Sequence, residues 1–155
     1  MKPRPTEPFT VGMRGFLALL LLGACAPSFE PLQVWVPEGH PLHAAQQVWG
    51  LPLRVTPELH EELPAAELPA VCDQPWKETV DGCARVPSGE IWIASDLPPE
   101  RRAVARAHEL GHLLGWLELS GQHLTGWCPG GHLMCPKGSE SAEPTPEDFD
   151  FVLGM

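Results

Sequence analysis

Positive charge is scarce in this chain. Only 10 of its 155 residues are Lys or Arg, against 20 Asp or Glu, and the cations form no run. Phosphate backbones are held by clustered cations, so nucleic acid is excluded as an expected partner. The formal net charge of −10 is accounted for by solubility, with a preference for basic substrates as the sharper alternative. A long apolar run is also missing: Phe16–Leu22 falls well short of the roughly 20 residues a membrane-spanning helix needs. No internal repeat and no second domain can be discerned, and 155 residues suit a single domain. What the chain does have is proline and glycine, 19 and 15 residues, within a 43% apolar composition. Short regular elements joined by many turns, around a genuine core, are expected.

The N-terminal segment has the layout of an export signal. Lys2, Arg4 and Arg14 precede the apolar run, and Leu22-Gly23-Ala24-Cys25 follows it. Those four residues resemble the bacterial lipobox. The resemblance implies a signal peptide over 1–24, a lipid anchor on Cys25, a tether over 25–31 and a folded domain over 32–155. It also implies a bacterial cell-envelope lipoprotein in contact with a membrane through that anchor. Ala26 favours the outer membrane, and plain secretion is the alternative. Cys72, Cys83, Cys128 and Cys135 remain, an even number that suggests two disulfides in an exported chain. Of three connectivities, the local one is expected, Cys72–Cys83 with Cys128–Cys135, because each pair flanks a short loop containing Gly and Pro. A four-cysteine zinc site fits poorly, since ten and six residues separate the pairs rather than about two to four.

Leu32–Val36 alternates apolar and polar residues and reads as a strand. A short helix over 41–49, begun by Pro41 and stopped by Gly50, comes next. Residues 51–55 read as a second strand, with Pro52 marking an edge or a strand start. The acidic, Pro-rich stretch 56–71 reads as irregular, with at most one helical turn. Glu90–Ala94 is a clear strand of β-branched and aromatic residues. A helix from about Pro98 to Leu114 follows, with Ser95 or Asp96 placed to contribute to its cap. Its second half is apolar on nearly every side except at His108, Glu109 and His112, so it is expected to be buried with those groups inside. Residues 116–136 read as a loop region, in which Trp116 and Trp127 are anchors or pocket walls. Thr145, Pro146, Glu147 and Asp148 open a last helix whose apolar face is Phe149, Val152 and Leu153.

The chemistry concentrates in His108-Glu109-Leu110-Gly111-His112. Residues four apart share a helix face, so both imidazoles can reach one metal ion, and imidazole nitrogen suits zinc. Glu109 lies one step round, placed to act as general base toward a metal-activated water. Two buried His and a Glu need partners, and a metal supplies them.

The run His108–Gly115 resembles the opening of the metzincin signature HExxHxxGxxH. Leu133-Met134-Cys135-Pro136 is similar to that family's Met-turn. The last helix, after Thr145-Pro146-Glu147, is similar to the closing helix of matrixins. The resemblance implies an α+β fold: a small mixed twisted sheet with an active-site helix, a Met-turn and a C-terminal helix. It further implies one catalytic zinc ion, hydrolysis of peptide bonds, and Met134 as a floor beneath the site. A peptide substrate is expected along strand 90–94 by β-augmentation, and a monomer is expected. No room is left between Cys25 and the first strand for a cysteine-switch latency segment. The chain departs from the pattern at the third ligand position, which falls on Glu118 rather than His. Glu118 as ligand, His123 as ligand from a longer loop, a degenerate site, and His132 all stay open. The rival to the peptidase is a non-catalytic surface lipoprotein whose degenerate zinc site only stabilises a binding module. A zinc hydrolase acting on something other than protein is a third reading.

Overall fold

The computed structural model describes residues 32–115, 131–135 and 140–154. They form a small α+β arrangement of a three-stranded mixed sheet and four helices. In chain order the elements are α1 (His43–Trp49), β1 (Glu58–His60), α2 (Leu68–Val71), β2 (Gly82–Arg85), β3 (Glu90–Ile93), α3 (Pro99–Gly115) and α4 (Pro146–Leu153).

The sheet order is β1-β3-β2, with β1 parallel and β2 antiparallel to β3. In β3 the side chains alternate, so Ile91 and Ile93 are buried while Glu90 and Trp92 point the other way. The register places Leu59 and Ala84 beside Ile91, and Gly82 beside Ile93. This inner face joins the α3 residues Val104, Ala107, Leu110 and Leu113 in the main core. On the outer face Trp92 stacks on His60, with ring centroids 4.0 Å apart. Trp92 also packs toward a smaller cluster of Leu68, Val80 and Ala94.

The family resemblance implies a peptide-binding sheet edge at strand 90–94, and here the structure differs. β3 is central and hydrogen-bonded on both sides, so it has no free edge for a peptide. Among the described residues the antiparallel edge belongs to β2. Strand order depends on pairing between distant segments, which local patterning does not encode. β1 and β2 arise in the same way. Glu58-Leu59-His60 and Gly82-Cys83-Ala84-Arg85 hold no β-branched residue, and they become strands because the two sides of β3 recruit them. The 56–71 stretch thus contains β1 and the single turn of α2.

The expected strands 32–36 and 51–55 meet at one antiparallel bridge only, Val34 with Leu53. Gln46 from α1 takes over where a ladder would continue. Its fully buried side chain accepts from Val36 N at 2.6 Å and donates to Val34 O and Leu51 O at 2.9 and 3.0 Å. Pro52 could supply no N–H in any case. Gly50 ends α1 as expected, at φ 63°, with its N–H on the Gln46 carbonyl.

α3 is buried from Val104 to Leu114 apart from Arg106. The exposed half is tied down by ions: Arg106 pairs with Glu61 through two contacts, and Arg101 meets Asp81 at 2.7 Å. The Asp96 carboxylate, just before this helix, accepts from Ala65 N at 2.9 Å. α4 starts as its sequence indicates, with Thr145 at the cap, Pro146 in the first turn and a reciprocal capping box with Asp148.

Gln46 satisfies one buried and two half-buried backbone groups. Gln46→Ala is expected to cost about 2–4 kcal/mol in urea unfolding, since it strands buried donors and acceptors and leaves a void. An unchanged midpoint would contradict this account of the 32–55 region.

Candidate metal centre

His108, Glu109 and His112 lie in the deepest part of α3, between 5 and 9% exposed. Their ligating atoms all fall within 4.8 Å of one another, and the group could hold a metal ion. The Nε2 atoms of His108 and His112 face each other at 3.3 Å. The His108 ring is oriented from behind, because its Nδ1 lies 2.5 Å from the carbonyl oxygen of Leu133. A carbonyl only accepts, so Nδ1 carries the proton and donates. The neutral ring then has its lone pair on Nε2, aimed at His112.

The Leu133-Met134 turn is in turn held by α4. The Asp148 carboxylate is fully buried and accepts from Leu133 N at 2.9 Å and Met134 N at 2.8 Å. It also accepts from the backbone N–H and the hydroxyl of Thr145, at 2.8 and 2.9 Å. Met134 is fully buried and rests against the helix at Gly111. A Cβ on Gly111 would stand 2.6 Å from Met134 Sδ and 2.7 Å from Trp49 Cζ2. Only glycine lets both side chains close on α3 there. Trp49 also donates from its indole N–H to the Ala107 carbonyl at 2.8 Å.

On the other side, Glu109 lies against the start of β2. A Cβ on Gly82 would come within 3.1 Å of Glu109 Cγ and 2.9 Å of Ile93 Cδ1. Burial pushes the Glu109 carboxyl up to about 8, the Asp81 carboxylate adds to the rise, and Lys77 opposes it. The three residues open into a cavity of about 930 Å³ between α3, β2 and the chain joining α2 to β2.

Other expected site residues fall into three groups. Cys72 and Cys83 form the expected disulfide, tying the end of α2 to β2. Cys135 is disulfide-bonded, while Cys128, its expected partner, lies outside the described residues. Cys25, Trp116, Glu118, His123, Trp127 and Pro136 also lie outside them. His132 is not in the metal-binding group: its Nδ1 is 2.9 Å from the Thr145 hydroxyl. Sequence reasoning missed Asp148 and Gly82. The Thr145-x-x-Asp148 spacing announces a helix cap, and nothing in it announces the two amides from residues 133 and 134. No family model, no curated protein and no solved structure matches the chain.

The raised Glu109 carboxyl has a consequence for stability. The folded chain binds a proton there that the unfolded chain releases near pH 4.5. Stability of the metal-free protein therefore falls as pH rises from about 4.5 toward about 8. Glu109→Gln is expected to flatten that part of the profile, measured as the urea midpoint of metal-free protein across the range. Parallel profiles for the two proteins would show that Glu109 is not the group responsible.

Proposed function

We propose that the chain is a zinc-dependent endopeptidase of metzincin type, exported and tethered to the bacterial cell envelope through Cys25. The observation that carries this reading is the facing pair of imidazoles. Zinc–nitrogen bonds of about 2.0–2.1 Å at tetrahedral angles separate two ligand nitrogens by about 3.3–3.4 Å. The His108 and His112 Nε2 atoms stand 3.3 Å apart. A carbonyl hydrogen bond on the far nitrogen of His108 is the usual support for a metal-ligating histidine. His108 and His112 would hold the ion, with Glu118 or His123 as the third ligand.

Further support comes from the frame. An antiparallel edge strand, a central strand and then the histidine helix follow one another, and a buried methionine packs against that helix. The Cys72–Cys83 disulfide agrees with an oxidising compartment.

Zinc held by His108 and His112 would supply Lewis acidity and an acidified water, with a pKa of about 7. The protein supplies the rest. Glu109, set beside the two imidazoles and drawn into its ionised form by a dication held there, would take a proton from the water and pass it to the leaving amine. Its buried, cavity-facing position keeps bulk water from competing for that proton. The edge of β2, unpaired among the described residues, would offer backbone groups to an extended peptide and hold the scissile bond near Glu109.

The test is zinc content per chain, read beside hydrolysis of a peptide library. About one zinc in the parent is expected, lost in His108→Ala. Between Glu118→Ala and His123→Ala, the variant that weakens zinc binding more identifies the third ligand. Glu109→Ala should keep the zinc and lose hydrolysis by at least about 10²-fold. A folded parent without zinc would overturn the reading. Zinc without hydrolysis of any peptide would leave a metal-stabilised binding module in its place.

A further inference from the structure

The cavity has a second wall that the chemistry above does not use. Residues 72–81 connect α2 to β2, and most of them line it together with α3. This loop is fixed at both ends. The Cys72–Cys83 disulfide closes it, and Arg85 donates to the Val71 carbonyl at 2.6 Å. Val80 N reaches Ala65 O at 3.0 Å, and the Asp81 carbonyl accepts from Ala94 N at 2.9 Å. Val80 itself is buried in the outer cluster. Inside the loop, Gln74 N bonds to Pro69 O and Lys77 N to Gln74 O. Asp73, directly after the disulfide, is held at φ 54°, a conformation that a non-glycine residue adopts at some cost.

At the tip of this pinned loop stands Trp76, 75% exposed, more than any other large apolar side chain among the described residues. A tryptophan so placed contributes almost nothing to the core, although its ring has one of the largest apolar surfaces available. The ions around it largely cancel one another: Asp81 pairs with Arg101, and Arg85 lies near Asp73 and Glu90. The wall therefore offers an uncovered aromatic face, with Lys77 beside it. Binding sites of this kind are concave, with a few polar groups and an aromatic surface for the ligand.

The geometry points to Trp76 as a specificity-determining residue that receives an aromatic side chain of the bound peptide, a role that rests on the peptidase reading for the identity of the ligand as a peptide. The disulfide and the Arg85 bond fix both ends of the loop that carries the indole beside the cavity, so in the proposed complex one substrate position meets it. Offset or edge-on ring pairing gives selectivity for Phe, Tyr or Trp over small residues, on the order of tenfold or less in affinity.

The experiment measures peptide binding without turnover. Full-length Glu109→Gln protein, loaded with zinc, is titrated with a positional peptide library in which each position carries Phe or Ala. The same library is applied to Glu109→Gln combined with Trp76→Ala, and with Trp76→Phe. One position is expected to favour Phe by roughly threefold to tenfold in Kd. Trp76→Ala should erase that preference and Trp76→Phe should keep most of it. Because Trp76 is exposed, the substitutions leave the core intact. A preference that survives Trp76→Ala, or no preference for Phe at any position, would overturn the proposal. A preference for acidic peptides that disappears in Lys77→Ala, with Trp76→Ala inert, would overturn it too. Hydrolysis by protein with Glu109 intact is scored separately, so its absence would count against the peptidase reading while the Trp76 result stands.

Discussion

The site depends on one buried carboxylate. Asp148 accepts four hydrogen bonds, from two successive amides of the Leu133-Met134 turn and from the amide and hydroxyl of Thr145. Hydrogen bonds to a charged group contribute about 1.5–3 kcal/mol each, and together they offset the cost of taking the carboxylate out of water. The same contacts join the first turn of α4 to a turn beneath α3. With its amide held from one side, Leu133 presents its carbonyl to the other, where His108 donates to it. An acid in a helix cap thereby orients an imidazole on another helix.

Two missing side chains complete the enclosure. Gly111 admits Met134 and Trp49 to one flank of α3, and Gly82 admits Glu109 to the inner face of the sheet edge. Close packing leaves no slack at either point, so the two histidines and the glutamate are confined between rigid neighbours. Such confinement is what a site needs if its groups are to be poised before a ligand arrives. The disulfide-closed loop over the cavity extends this to the outer wall.

Much of this was legible in the sequence where the determinants are local. α3 and α4 announce themselves through prolines, acids and Thr145 at their starts, and α1 through Gly50 at its end. His108, Glu109 and His112 follow from spacing on a helix. What could not be read depends on contacts between distant segments. β1 and β2 have weak strand composition and exist because β3 pairs with them. The family resemblance implies a peptide-binding edge at β3, and β3 is the central strand. Residues 32–36 and 51–55 have strand alternation, yet Gln46 takes the hydrogen bonds a ladder would use. Asp148 carries an ordinary cap signal, and its second task shows only once residues 133 and 134 are folded against it.

The most direct test of this arrangement is the zinc affinity of Asp148→Asn beside the parent, by competition with a chelator, with far-UV circular dichroism to confirm that the helices remain. An asparagine turns one accepting oxygen into a donor facing the amides it must hold, so the turn shifts and the His108 ring loses its support. The account predicts zinc binding weakened by about 10–100-fold with helix content retained, the range typical for loss of a group that orients a metal ligand. Unchanged affinity in a folded Asp148→Asn protein would contradict it.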